Sequence, residues 1–260
     1  MTRRHARKPT QGARRRRLTK LLLAAVFLAA LASAPARAAG KACDDCCQLA
    51  CVEAEIRFAT KMQQFYRALQ ARPNLTQAVY EAEEKAKATE LAKERSKAVG
   101  TLPACRWNLP DPKTDLIAIR EWSSAGWSIK STPDGVTYDF TLKTDTEKCT
   151  LREKQVKLLH EIAPCDGLAD ATEKHERHHV ATCEARKGAK ETLAQAAADE
   201  VAAYDVEMKA LTELRQAVQK ACAVKSCKDN DAKAASARLS QELEDIKNTV
   251  GKRGAGAGAR

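Results

Sequence analysis

The amino-acid sequence predicts a mainly α-helical protein with one small β-sheet, an α+β class in which disulfide bonds join helical hairpins. Three observations support this class. Alanine, lysine and glutamate are abundant and only 4% of the 260 residues are aromatic, a composition that favours helices over a large sheet. Apolar residues recur at three- and four-residue steps, and alternation with a period of two is confined to residues 107–143. The chain also contains ten cysteines.

Residues 1–38 have the composition of a secretory signal peptide. Four consecutive arginines occupy 14–17, an apolar run follows at 21–31, and Ala36 and Ala38 have the spacing of a cleavage site. The apolar run is too short for a transmembrane helix. We therefore expect an exported protein, periplasmic or extracellular, that is cleaved near Ala38 and has no stable membrane span afterwards. The basic segment fits the twin-arginine route about as well as the general secretion route.

The basic excess of the whole chain lies in this leader. Ten of the 45 Lys and Arg residues and none of the 34 Asp and Glu residues precede residue 39, which leaves 35 basic and 34 acidic residues and a net charge of +1. A nearly neutral chain has no electrostatic footprint for polyanions. Nucleic acid and anionic membranes are therefore not expected partners.

The cysteines all lie beyond the leader, and their even number predicts a disulfide framework. The first four could alternatively form a zinc knot, but their spacing aligns them along one helical stripe, and one helix face cannot surround a tetrahedral ion. Our working hypothesis joins Cys47 and Cys51 to Cys222 and Cys227. The ten are Cys43, Cys46, Cys47, Cys51, Cys105, Cys149, Cys165, Cys183, Cys222 and Cys227.

An N-terminal helical hairpin is predicted over residues 39–100. Its first helix covers 44–69, where the apolar positions have helical spacing, and Pro73 closes it. The second helix runs from about Asn74 to Val99. The two helices are connected by a turn short enough for them to be neighbours.

The small sheet is predicted within residues 107–143. Two alternating segments, 127–129 and 136–142, flank a turn-forming sequence and indicate a β-hairpin. Residues 116–122 are the expected third strand. The three tryptophans of this region are expected to pack in the core rather than form a ligand cage.

Helices are predicted again after residue 150. The first covers 151–162 and contains His160, which we expect to be an ordinary surface residue. Two further helices lie within 168–220, and another covers 228–250. Residues 251–260 are rich in Gly, Ala and Arg and are expected to be disordered.

The segment with the most specific chemistry is His175-Glu176-Arg177-His178-His179, which contains the pattern H-E-x-x-H. It lies in a run without Pro or Gly, so a helix is expected. Residues four apart then share a face, where His175 and His179 can bind one Zn²⁺ and Glu176 can act as a general base. His178 points about 100° away from that face, so we expect it to be exposed and without a functional role. The competing interpretation is a solvated, charged helix surface.

A third metal ligand is expected from the next helix. If the two helices turn back near Gly188, His179 lies nine residues, or about 13 Å, before the turn, and its neighbour should lie a similar distance after it. Glu200 and Asp199 both fit, whereas Glu207 is too far along. We select Glu200 as the ligand and keep Asp199 as the alternative. An exposed acidic residue on a charged helix is the competing interpretation of Glu200.

These residues resemble the gluzincin branch of the zincin metallopeptidases, in which H-E-x-x-H is followed about twenty residues later by a glutamate ligand. In particular, the combination with Cys183 and with the segment Glu200 to Tyr204 resembles small exported bacterial zincin-like proteins. The resemblance covers residues 168–211. Tyr204 stands where the large thermolysin-like families have an acidic residue that orients a zinc-bound histidine, and it is the candidate for a transition-state donor. Cys183 is a weaker alternative ligand.

The resemblance implies an exported zinc metallopeptidase. Zn²⁺ would be held by His175, His179 and Glu200, with Glu176 as the general base and peptides or proteins as substrates. Residues 101–250 would then form the catalytic region. The β-hairpin 127–142 would supply the edge strand against which the substrate binds. The alternative is a non-catalytic, disulfide-stapled helical interaction protein with a structural or vestigial zinc site.

Overall fold

The structure is a computed structural model that describes residues 41–132, 135–186, 189 and 191–256. Within these ranges the chain is mainly helical with two short antiparallel strand pairs, which confirms the predicted class. The predicted signal peptide lies outside the described residues. The elements are α1 Leu49–Gln70, α2 Gln77–Val99, α3 Leu116–Ala125, β1 Ser128–Thr132, β2 Gly135–Asp139, β3 Thr144–Asp145, β4 Thr150–Leu151, α4 Glu153–Ile162, α5 Asp166–Arg186, α6 Leu193–Val224 and α7 Asn230–Gly256.

Helix α1 lies at the centre of the main core. It packs against α2, α6 and α7, and its buried residues include Val52, Ala59 and Met62. Leu211 of α6 and Leu239 of α7 are buried in the same core. The predicted N-terminal hairpin and the predicted metal-site helices therefore share one hydrophobic core, whose burial is the main favourable contribution to folding.

A buried carboxylate links three helices of this core. The side chain of Glu53 in α1 is completely buried, and its oxygens accept hydrogen bonds from Arg215 in α6 and from Ser236 and Ser240 in α7. The distance from Arg215 Nη2 to Glu53 Oε1 is 2.8 Å. A charge buried this deeply is tolerated because partners surround it.

A second core contains the aromatic residues of the region 107–143. Trp122 and Trp127 are buried in it, and their ring centroids are 5.1 Å apart in an edge-to-face arrangement. Trp107 packs against its edge. The expectation that these side chains serve packing is confirmed.

The predicted three-stranded sheet is wrong in one element. The hairpin exists, with β1 paired antiparallel to β2 and Ser128 opposite Asp139, but β3 and β4 form a separate pair. Residues 116–122 belong to helix α3 because the buried Trp122 and Ala125 are three residues apart, a helical spacing. Gly126 ends this helix in the left-handed region at φ 86°, which a glycine adopts without strain.

The cysteines form five disulfides, which confirms the predicted framework. Cys47 pairs with Cys227 as hypothesised, but Cys51 lies one turn further along α1 and pairs with Cys105 instead. The zinc-knot alternative and the ligand role for Cys183 are thus excluded, since these residues carry no free thiolate. The pairs are Cys43–Cys165, Cys46–Cys222, Cys47–Cys227, Cys51–Cys105 and Cys149–Cys183.

Five disulfides are typical of a protein that folds outside the reducing cytoplasm. Among the described residues, none of the helices has the length and apolarity that a bilayer crossing requires. At the C-terminus, α7 continues to Gly256, beyond the predicted end at residue 250, and residues 257–260 lie outside the described part.

The buried network around Glu53 predicts a clear loss of stability on neutralisation. Glu53→Gln removes the charge that compensates Arg215, so the free energy of unfolding should fall by about 2–3 kcal/mol. Glu90 pairs with Lys87 on the exposed face of α2, and Glu90→Gln should change it by less than about 0.5 kcal/mol. Urea unfolding of the oxidised variants measures both values. Equal effects of the two substitutions would contradict the assignment.

Candidate metal site

Helices α5 and α6 run antiparallel and bring three potential ligand atoms together. Nε2 of His175 lies 3.2 Å from Nε2 of His179. Oε2 of Glu200 lies 3.5 Å from Nε2 of His175, and Oε1 of the same carboxylate lies 3.5 Å from Nε2 of His179. The hairpin predicted from the sequence therefore delivers Glu200 to the histidine pair.

The spacing of these atoms fits a tetrahedral zinc ion. Zinc binds imidazole nitrogen and carboxylate oxygen at about 2.0–2.2 Å, so its ligand atoms in a tetrahedron lie about 3.3–3.6 Å apart. The two Nε2 atoms are 3.2 Å apart, and each is 3.5 Å from one of the two carboxylate oxygens of Glu200, so the separations are close to this range. His175, His179 and Glu200 could thus hold a metal ion with little rearrangement.

The second ring nitrogen of each imidazole, Nδ1, faces a further carboxylate. Nδ1 of His179 donates to Asp199 Oδ2 at 2.7 Å. Nδ1 of His175 lies 2.9 Å from Glu207 Oε2, a close electrostatic contact without the geometry of a hydrogen bond. Carboxylates in these places keep a proton on Nδ1 and leave Nε2 for a metal.

The alternative ligand Asp199 therefore occupies a supporting position. Its Oδ1 lies 3.2 Å from Nε2 of His178, and its Oδ2 also lies 3.3 Å from Arg186 Nη2. His178, expected to be exposed and without a role, is half-buried and contributes to this cluster. The contacts fix the carboxylate that orients His179.

The electrostatics of the cluster favour positive charge at the imidazoles. Burial lowers the pKa of His175, but Glu200 and Glu207 outweigh it and raise that pKa to about 9. For His179, burial is likewise outweighed by Asp199 and Glu200, and its pKa rises to about 10. Burial raises the pKa of Glu200, but the two imidazoles reverse this and lower it to about 2. The carboxylate of Glu200 is therefore ionised and ready to bind a cation.

Glu176 lies beside the ligands and is held by β3. Its Oε2 lies 3.2 Å from the Thr144 amide nitrogen, which donates to it, and 3.0 Å from the Thr144 hydroxyl. Burial raises the pKa of Glu176, and the neighbouring His175 and His179 act in the opposite direction. A carboxylate with a raised pKa is a stronger proton acceptor, as a general base requires.

Part of the candidate site lines a cavity of about 600 Å³. Glu176, His179 and Glu200 are on its wall, together with residues 141–144 that follow the β-hairpin. Of the segment 127–142 expected to receive substrate, Thr141 and Leu142 are the residues that line the described cavity. The guanidinium of Arg186 is also on the wall, where it pairs with Asp199 and with Glu191.

Tyr204 is placed in the protein core. Its side chain is 8% exposed, and its ring lies 4.5 Å from the ring of His175 and 5.9 Å from that of Tyr66, measured between centroids. Burial raises its pKa well above the usual value. In the described part of the structure it does not line the cavity, so its position suits support of the His175 imidazole rather than donation to a substrate.

Sequence reasoning missed the supporting residues Glu207 and Thr144. Glu207 could have been found, because it follows Glu200 by seven residues and so shares its helix face. Sequence reasoning excluded Glu207 because it lies too far along α6 to reach His179. Its contact is with His175, which lies one helical turn further than His179 from the loop between α5 and α6. Thr144 has no comparable signal in the sequence.

His160 is a further correction. It was expected on the surface, but it is half-buried between α4 and α5, with Nε2 3.1 Å from Glu173 Oε2 and 3.7 Å from Asp170 Oδ1. These three residues form a second group whose potential ligand atoms lie close together. Glu173 is also bonded to Arg177 of the same helix, and the contacts of His160 with Asp170 and Glu173 join α4 to α5.

Comparisons with known proteins add no family assignment, since the chain matches no protein-family model, no curated protein and no solved structure.

The geometry predicts different costs for the two acids that the sequence could not separate. Glu200→Gln should lower zinc affinity at least about 100-fold because it alters a direct ligand. Asp199→Asn should lower it about 10-fold to 100-fold by disturbing the orientation of His179. Titration against a chromophoric chelator measures both affinities. A larger loss for Asp199→Asn than for Glu200→Gln would contradict this assignment of roles.

Proposed function

We propose that the chain is a zinc-dependent metallopeptidase. The observation that supports this best is the cluster of His175, His179 and Glu200, whose potential ligand atoms lie within 4.8 Å of one another beside Glu176. Glu176, His179 and Glu200 line one cavity. A structural zinc site is normally closed by four protein ligands. Here His175, His179 and Glu200 would hold the ion with three protein ligands, the number found in catalytic zinc sites.

Each residue of the site then has a defined task. Zinc, when bound, would supply a Lewis acid for a substrate carbonyl and lower the pKa of a coordinated water. Glu176 takes the proton of the attacking water and delivers it to the leaving amine. Asp199 and Glu207 hold the imidazoles of His179 and His175 in the binding orientation.

The cavity supports a peptide as the substrate class. Its volume of about 600 Å³ is within the usual range for ligand sites. Residues 141–144 are on the cavity wall, and we propose that an extended chain binds beside them. We further propose that residues 1–38 are a signal peptide removed near Ala38, and that the mature protein acts in the periplasm or outside the cell.

A second candidate function is a non-catalytic interaction protein with a structural or vestigial zinc site. One observation favours it: Leu116 and Ile117 of α3 are 69% and 81% exposed, near a separate cavity of about 1110 Å³ lined by Trp107 and Tyr138. Exposed apolar side chains of this kind are typical of protein-binding surfaces.

The peptidase proposal predicts that Glu176→Gln abolishes turnover and keeps the metal. Loss of the general base should lower kcat by a factor of about 10²–10⁴, while the direct ligands are unchanged. The matched control is Glu184→Gln, an exposed residue on the same helix, which should behave like the wild type. Cleavage of a fluorogenic peptide library and zinc analysis test the pair.

Zinc-loaded wild-type protein that cleaves nothing in the library, or a Glu176→Gln variant that cleaves as fast as the wild type, would contradict the peptidase assignment. The first result would favour the interaction protein instead.

A further inference from the structure

The segment 141–151, here called the strap, connects the β-hairpin to α4 and forms one wall of the cavity. Its two ends are anchored by Leu142 and Leu151, which are both buried in the second core. Between them, β3 pairs with β4, with Thr144 opposite Leu151. The middle of the strap therefore lies on α5 beside the candidate metal site.

The strap contacts α5 at Glu176 through Thr144. The amide of Thr144 donates to Oε2 of Glu176. The Thr144 hydroxyl lies 3.0 Å from Oε2 and 3.0 Å from the backbone oxygen of Glu176, and its single proton can serve one of them at a time. The backbone and the side chain of one residue thus fix the Glu176 carboxylate.

A disulfide fastens the strap to α5 on the other side of the turn. Cys149 is bonded to Cys183, which lies one helical turn beyond His179. Cys149 has a left-handed backbone, with φ 50°, a conformation that is uncommon for a residue with a side chain. Within the turn, Asp145 Oδ1 accepts the amides of Glu147 and Lys148 at 3.1 Å.

The candidate metal ligands do not depend on the strap. His175, His179 and Glu200 are on α5 and α6, and so are the residues that face their other nitrogens, Asp199 and Glu207. Loosening the strap should therefore release Glu176 and leave the ligand geometry unchanged.

We propose that Thr144 is a positioning residue for the base Glu176 and that the Cys149–Cys183 disulfide holds it in place. This inference rests on the proposed peptidase function. Catalysis then depends on a covalent tether that metal binding does not need, because the tether determines where the carboxylate points and the helix pair determines where the ligands lie.

Substitutions at Thr144 test the first contact. Thr144→Val removes the hydroxyl at nearly constant volume and should lower kcat about 10-fold or more, with KM and zinc affinity within about twofold of the wild type. Thr144→Ser keeps the hydroxyl and should restore most of the rate. The control Thr212→Val removes a hydroxyl bonded to a backbone oxygen of α6 and should have no effect. A wild-type kcat for Thr144→Val, or no rescue by serine, would overturn the assignment.

Paired cysteine substitutions test the tether. The double variant Cys149→Ser/Cys183→Ser should bind zinc with wild-type affinity and lose activity to at least the extent of Thr144→Val. The matched control is Cys46→Ser/Cys222→Ser, because the adjacent Cys47–Cys227 bond still holds the same segments. The control should remain active. A parallel loss of zinc affinity in the first double variant would show a general structural role and overturn the proposal.

A measurement without turnover separates this inference from the proposed function. Hydrogen exchange at the Thr144 amide in metal-free protein should be at least about tenfold faster in Cys149→Ser/Cys183→Ser and in Glu176→Ala than in the wild type. If the wild type cleaves no peptide, the peptidase assignment fails and exchange still reports the strap. Equal exchange in all three proteins would overturn the positioning role.

Discussion

The antiparallel contact between α5 and α6 is the interaction on which the candidate site depends. Glu200 of α6 meets His175 and His179 of α5 across this contact, so a shift of either helix by one residue would separate His179 from Glu200. Ala197 and Ala203 of α6 are fully buried, and such small side chains allow neighbouring helices to approach closely. The bond between Glu53 and Arg215 fixes α6 against α1, and two disulfides fix the end of α6 near the start of α1. The framework thus supports the register of the helix pair.

The same contact concentrates charges that are costly to bury. Two imidazoles face three carboxylates, of Asp199, Glu200 and Glu207, and isolated burial of any of them would be unfavourable. Mutual pairing offsets this cost, and it also raises the pKa of both histidines and lowers that of Glu200. A site with this composition holds positive charge, either as protons or as a divalent ion that takes their place. The second arrangement is the one that the peptidase proposal uses.

The sequence predicts best those features of the structure that depend on residues close together in the chain. The helix pair and the placement of Asp199 and Glu200 near His179 follow from helical periodicity and from a distance along two helices, which are local and regular properties. The hairpin was found for the same reason. The distance along the two helices does not separate the two acids. Residues 116–122 were misassigned because a short apolar run does not distinguish a strand from a helix. The contact of Thr144 with Glu176 and the pairing of Cys51 with Cys105 depend on how distant segments pack, and spacing along the chain does not encode that.

The proposed function requires one metal ion bound by His175, His179 and Glu200. X-ray absorption at the zinc edge of purified protein measures it most directly, combined with zinc content. We expect one zinc per chain, bound by two imidazole nitrogens and further oxygen ligands at about 2.0–2.2 Å and by no sulfur. The variant His175→Ala should lose the metal. Protein that contains no zinc after exposure to it, or zinc that persists unchanged in His175→Ala, would contradict the central claim.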